Sequence, residues 1–589
     1  MFLDVCEAVL CCYCIASRLE IPNILFLDMF HKRQKDYAAG EPKSKRFRHN
    51  VADLMLSNQI SGQRAQELCQ DALASGSTGV EDLVKGADAP HALAAGRNKN
   101  ALRDMRRRLM KKSPWFDEYL AMVPVWNPGK QKEQLLKVPF LLPHELIHAF
   151  LDEDRELLLQ TSGLCKQSQE HLEHMQRSFK APAALAMGLW IDGTPYNFDR
   201  SQTLECICLS FPGLGGANAS LRLPLCAIPK HWCIKGKTLS KMLGIIAWSF
   251  VFLANAVWPS RRHDGTPWSP QDSTRRQKSL SAMAFPAYLV EVRGDWAMRK
   301  EVFNFPGWRD KKGCCHLCKC KPEEMRDFES HKAHERLPHY TLMGWILETE
   351  GSINELFKTP GLTSAQFLLD WLHIVDIGIA SDFLGNLFYY MVHHKMEGNN
   401  LSEKVCALFK KIQEYYKAEG IESKLPTLTL LMIRKKATQS PKLRAKAAEA
   451  RGLILFAHKV CETYMEDSCV LEHGIKMAAT ELWRCYGCLS KDTFQQAKLQ
   501  AHARKFLLLC KGLENPEQKT WMIKPKHHSF LEMALQGSNP ADSWTYRDED
   551  FGGFLSHLAQ VRGGSHNAHS IGMRVLTNFR AKALPRLKR

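Results

Sequence analysis

Between residues 182 and 295 the chain alternates in a way that few folds accommodate. Three β-prone runs, LAMGLWIDG (185–193), TLECICLSF (203–211) and LRLPLCAIP (221–229), follow one another across Gly, Pro, Asn and Asp turn signals. An apolar segment, 242–258, comes next, and then AFPAYLVEVRGD (284–295), which reads as a buried strand ending in a charge. Three strands, a helix over 240–258 and a further strand predict an α/β unit with a mixed sheet. The apolar segment is about 17 residues long, at the lower edge of a membrane span. It carries Ser249 and Asn255 and lies between strands, so a buried helix and a soluble chain without a membrane partner are expected.

A chain of 589 residues is too long for one core, and about two to four structural units are expected. The element order of 181–312 is that of the first half of an RNase H-like core. Ahead of it lie an apolar then basic arm (1–50) and a region of mainly helical spacing (51–180) with a basic stretch at 97–112. Behind it come a Cys/His-rich segment (313–340), a continuation of the core (341–395), a helical insertion (396–520) and a C-terminal segment with a basic tail (521–589). The expected fold is thus an α/β RNase H-like core, a mixed sheet with flanking helices, with a large helical insertion and a helical N-terminal region.

Charge bears on the partner. There are 80 Lys and Arg against 62 Asp and Glu, a formal net charge of +18, and such an excess favours a polyanion. Twenty cysteines in a chain this long are too sparse for a disulfide scaffold, and several stand in close pairs, which points to a reducing compartment. With the basic run 31–50, a nuclear or otherwise intracellular location is expected.

Asp192 follows the first apolar run and Asp295 follows AYLVEVRG, so each places a carboxylate at a strand exit. Carboxylates converging from distant elements are what divalent metals need for in-line phosphoryl displacement. Further on stand Asp370-Trp371-Leu372-His373 and Trp544-Thr545-Tyr546-Arg547-Asp548-Glu549-Asp550-Phe551-Gly552-Gly553. In order and context these residues, with Cys315-x-x-Cys318 after Asp295, resemble the motifs of CACTA-type DDE transposases over roughly two thirds of the chain. The resemblance implies an RNase H-like fold and a catalytic triad of Asp192, Asp295 and Glu549 holding two Mg²⁺ or Mn²⁺ ions. It also implies Asp370 and His373 as accessory residues, DNA as substrate, and a homo-oligomer on DNA. The family's Pro-Phe before the glutamate is replaced by Arg547-Asp548, so Asp548 and Asp550 compete with Glu549 for the third place. A relative that binds DNA but has lost catalysis is the alternative.

Asp376 is a candidate hydrogen-bond partner for His373. Lys442 and Arg444, in the basic stretch 433–451, and Lys524, His527 and His528, in KPKHHSFLEMAL, are candidate DNA contacts. Cys315 and Cys318 have zinc-ligand spacing, and His331, His334 and His339 are near enough in sequence to complete a structural Zn²⁺ site, with Cys314 and Cys320 as spares. Cys485 and Cys488 lack a second pair. A different enzyme class is offered by His144-Glu145-Leu146-Ile147-His148, a zinc-peptidase pattern with Glu145 as base and Glu170 or Glu173 as third ligand. Pro143 puts that motif at a helix start, and the sequence after it lacks the further ligands of one major peptidase class.

Overall fold

The computed structural model describes residues 43–56, 60–84, 104–105, 108–109, 115–150, 154–197, 199–215, 221–329, 335–560 and 568–582. The arms 1–42 and 583–589, and most of the basic stretch 97–112, lie outside them.

Alternation and turn chemistry produce a four-stranded mixed sheet from β3 (Leu185–Pro195), β4 (Thr203–Ser210), β5 (Arg222–Pro229) and β6 (Ala287–Arg293). Its order is β5-β4-β3-β6, with β3, β4 and β5 antiparallel in turn and β6 parallel to β3. A parallel neighbour requires a crossover, and the apolar segment supplies it as helix α4 (Thr238–Ala254). Both faces of the sheet are covered, which is why β5 and β6 are buried at every position rather than alternating. Helices α3 (Lys166–Ser178) and α4 pack on β6, and the C-terminal helices reach β3 and β5. Next to β6, Phe367 adds a single parallel bridge to Val292.

The helical reading of 51–180 holds for α1 (Lys43–Leu56), which enters it, and for α2 (Gly62–Ala74) and α3, and it fails at 119–140. There β1 (Tyr119–Asn127) and β2 (Lys132–Phe140) pair as an antiparallel hairpin across Pro128-Gly129. Alternate residues of β1, among them Val123 and Val125, face the core, so its side-chain period is two and not 3.6. The hairpin joins the sheet through Leu141 N–H to Leu225 O, 2.8 Å.

Residues 339–394 give α5 (Trp296–Phe303) its successors, α6 (His339–Glu350) and α7 (Ser381–His394). Immediately before α7, Leu372–Ala380 winds as a π-helix broken at Gly378. The insertion follows as α8 (Leu401–Ala418), α9 (Ile454–Tyr464), α10 (Val470–Gly487) and α11 (Gln496–Leu513). Then come α12 (Pro525–Leu535), α13 (Tyr546–Ala559) and α14 (Ala568–Lys582). Two large hydrophobic cores result, one around the sheet and one among the helices from 369 to 541. Among the described residues no helix is long and apolar enough to cross a membrane.

Candidate active site

The candidate site sits where the sheet core meets the helical core. Asp192 is not at the end of β3, which runs on to Pro195 against β4. It lies just past the point where the parallel partner stops, since the β3–β6 pairing ends at Trp190 and Arg293. One edge of β3 is therefore open at Asp192. The chain leaves β6 through Gly294, where a Cβ would stand 2.6 Å from the carbonyl oxygen of Ile191. Only glycine allows this approach. Asp295 then caps α5, its Oδ1 accepting from Met298 N–H at 2.6 Å.

The third acid arrives on α13. This helix packs on β3, and Gly552 is the contact: a Cβ there would come within 2.7 Å of the Trp190 ring. One helical turn earlier, the Glu549 carboxyl meets that of Asp192, and the two share a hydrogen bond. One ligand atom each from Asp192, His373 and Glu549 lies within 4.8 Å of the others. Asp295 is outside that group, but its charge repels that of Asp192.

The three adjacent acids are sorted by the helix's rotation of about 100° per residue. Asp548 is fully buried and accepts from Arg222 of β5 and, at 3.4 Å, from Arg293 of β6. Glu549 turns to the site, and Asp550 is exposed.

His373 and Asp370 reach the site because the bridge at Phe367 carries the chain alongside β6. Asp370 is buried and accepts from His373 Nδ1 (2.5 Å), Thr545 Oγ1 (2.8 Å) and Thr545 N–H (3.0 Å). It thereby ties the π-helical segment to the residue that begins α13. His373 Nε2 is 3.7 Å from Glu549 Oε1, an oxygen that is buried and has no hydrogen-bond partner. Asp376 is not the partner of His373. It accepts from Tyr486 (2.5 Å) and Tyr546 (2.6 Å), clamping α10 to α13, because on the π-helix it points to the opposite neighbour.

Charge in the cluster is tightly coupled. Burial, then repulsion from Asp295, raises Asp192 to about 6. Burial, then Asp192, raises Glu549 to about 8. Burial opposes a charged His373, yet the hydrogen bond and field of Asp370 outweigh it and lift the imidazole to about 9. Near neutrality the two carboxyls therefore hold one proton between them, beside an imidazolium. The carboxylates of Asp192 and Glu549 and the imidazole of His373 form a group that could hold a metal ion, and carboxylate oxygens suit a hard cation such as Mg²⁺ or Mn²⁺. Arg299, which the sequence did not single out, is buried behind the site and donates to the carbonyl oxygens of Leu368 and Gly294, joining the two segments that carry the acids.

A second cluster combines Cys315, Cys318 and His528, all buried, with ligand atoms within 4.8 Å of one another. Cys318 Sγ is 3.4 Å from His528 Nε2, and Leu317 N–H points at Cys315 Sγ at 3.4 Å. Cys320 has its thiol beside those of Cys314 and Cys318. These soft donors in a dry pocket suit Zn²⁺. The histidine differs from those expected. His331 and His334 lie outside the described residues. His339 starts α6, and its Nδ1 accepts from Ser364 N–H at 3.1 Å, so it is engaged elsewhere. His528 is 210 residues from Cys318, and adjacency in sequence gave no signal for it. Cys485 is a buried thiol on α10 and belongs to no such group among the described residues.

The other candidate residues are engaged within the fold to different degrees. His527 is buried, accepts from Lys524 N–H at 3.0 Å, and burial lowers it to about 4. It is a neutral helix cap. Lys524 and Lys442 both approach Asp382, at 2.7 and 3.8 Å, while Arg444 is exposed. The peptidase pattern is core structure: the helix is only Pro143–Ile147, and His144 Nδ1 is bonded to Ser249 Oγ at 2.7 Å. His148 Nδ1 bonds to His144 O (2.8 Å), Glu145 is paired with Arg275 (2.5 and 2.9 Å), and the two histidines belong to no metal group among the described residues. Glu170 and Glu173 lie on α3 and form no metal group with these residues.

The chain matches no protein-family model and no curated protein. Among the described residues two groups could hold a metal ion, Asp192, His373 and Glu549, and the buried Cys315, Cys318 and His528.

Proposed function

We propose that this chain is a DDE-type DNA strand-cleaving and strand-transferring enzyme, related to CACTA-type transposases and built on an RNase H-like core. The observation that carries the reading is the convergence of Asp192 and Glu549, brought together from segments far apart in the chain, with Asp295 near enough to repel Asp192. The sheet order supports it: three antiparallel strands, then a parallel fourth beside the first, then a parallel bridge in fifth position, is the order an RNase H-like sheet would have.

In this reading Asp192, Asp295 and Glu549 hold two Mg²⁺ or Mn²⁺ ions, which supply activation of the attacking oxygen and stabilisation of the leaving one. The protein's own part is placement. Asp548, between Arg222 and Arg293, fixes the rotation of α13 so that Glu549 faces Asp192. Asp370 holds His373 protonated and aimed at Glu549, keeping that carboxyl from swinging out to solvent. Cys315, Cys318 and His528 hold a structural Zn²⁺, with Cys320 the nearest further thiol.

One observation favours a second reading, a DNA-binding relative that no longer cleaves: Asp295 spends an oxygen on capping α5 and stands outside the Asp192–Glu549 group. Incubation of the purified chain with labelled DNA and Mn²⁺ separates the two. Nicking that disappears in Asp192→Asn and Glu549→Gln is expected of the enzyme. Retained DNA binding without nicking selects the second reading, and nicking that survives both substitutions would overturn the site.

A further inference from the structure

The π-helical segment beside the acids is held by lysines. A π-turn leaves backbone carbonyls out of the α-helical ladder, and two of them accept from ammonium groups instead. Lys526 Nζ donates to His373 O at 2.6 Å, and Lys442 Nζ to Ile377 O at 2.8 Å. Gly378 makes room, since a Cβ there would lie 2.7 Å from Lys526 Cδ. Lys524 Nζ reaches Asp382 Oδ1 at 2.7 Å, and Lys442 Nζ approaches the same oxygen at 3.8 Å.

Three ammonium groups from two separate segments thus gather around one carboxylate. Lys526 and Lys442 repel each other, and Lys526 also feels Asp295 and Asp370, so the cluster borders the acidic site. The side chains of Lys442 and Lys524 remain 43% and 33% exposed. Two carbonyl oxygens and Asp382 leave an excess of positive charge that faces solvent, where an anion lowers the mutual repulsion.

We infer that Lys442, Lys524 and Lys526 form a binding subsite for a nucleic-acid backbone phosphate adjacent to the phosphodiester that reaches the acids. The inference rests on the proposed function for the identity of the polyanion. Lysine suits the task as a compact charge with rotatable donors, and contacts of this kind position a backbone without reading sequence.

The test is the salt dependence of binding of a short labelled DNA duplex to the full chain, with Mn²⁺ binding to the acids followed separately by electron paramagnetic resonance. Neutralising one phosphate's contacts should flatten the slope of log affinity against log salt by about 0.9. Lys442→Gln/Lys524→Gln, both partly exposed, is expected to show that change and roughly a tenfold weaker affinity at low salt, with Mn²⁺ binding by the folded variant retained and a lower melting temperature from the lost contacts to Asp382 and Ile377. Lys526→Gln should do the same, and the exposed pair keeps the test valid if that variant folds poorly. An unchanged slope in the double variant overturns the subsite. So does a wild-type chain that fails to bind DNA, or one from which polyglutamate displaces DNA as well as heparin does. A flattened slope in a chain that never nicks DNA leaves the subsite standing and removes the catalytic reading.

Discussion

The proton shared by Asp192 and Glu549 makes the cation-free site sensitive to pH. Both carboxyls have folded-state values above their ordinary ones, about 6 and about 8, so the stability they contribute is present below the unfolded values. It is lost as pH rises through those folded values. The side chain of Glu549 is 38% exposed, and solvent screening blunts the effect. A melting temperature that declines between about pH 5 and 8 is expected, with Mn²⁺ restoring more of it at pH 8 than at pH 6. Glu549→Gln should flatten the pH profile and abolish the Mn²⁺ response; a steep profile in that variant would count against the shared proton. The neighbouring acid behaves differently. Asp548→Ala takes from the buried Arg222 its Asp548 partner and leaves Arg293 with Glu291, a change expected to cost about 3–5 kcal/mol in denaturant unfolding. Asp550→Asn on the exposed face should stay within about 0.5 kcal/mol. The sequence could place a carboxylate at 549 only to within a residue, because helix phase is set by packing against Trp190 and not by the acids themselves.

At the level of elements, the decisive contact is α13 against β3 through Gly552. Gly552→Ala overpacks the Trp190 ring and should cost about 1–3 kcal/mol. Pushing α13 outward also separates Glu549 from Asp192, so Mn²⁺ affinity should fall more than stability alone explains. Isothermal titration on the folded variant measures this, and undiminished affinity would show that the glycine serves packing only. The strands and the crossover helix were legible, since their periodicity and turn residues are local properties. The hairpin at 119–140 was not, although β1 alternates, because helical spacing on both sides dominated the reading. Nor was the π-helix of Leu372–Ala380, whose winding depends on lysines and tyrosines supplied from elsewhere.

Over the whole molecule, the thiol and imidazole cluster links the loop after α5 to helix α12, which follows the helical insertion. Cys315→Ser and His528→Ala should each remove stoichiometric zinc by elemental analysis and lower the melting temperature by several degrees. Zinc retained in His528→Ala would return the site to ligands near Cys318 in sequence. The cysteine pair was readable because its ligands are adjacent; the histidine was not, because nothing local marks a partner 210 residues away.

The pairing of Arg222 with Asp548 spans 326 residues, and this has a consequence for the growing chain. At synthesis rates of about 5–20 residues per second, β5 leaves the ribosome tens of seconds before α13 exists. Throughout that interval Arg222 lacks Asp548, Arg293 has Glu291 but not Asp548, and the open edge at Asp192 has no helix to cover it. The sheet must wait partly open, a natural client for a holdase chaperone. The group formed by Asp192, His373 and Glu549 likewise cannot assemble until α13 has been made, because Glu549 lies on that helix.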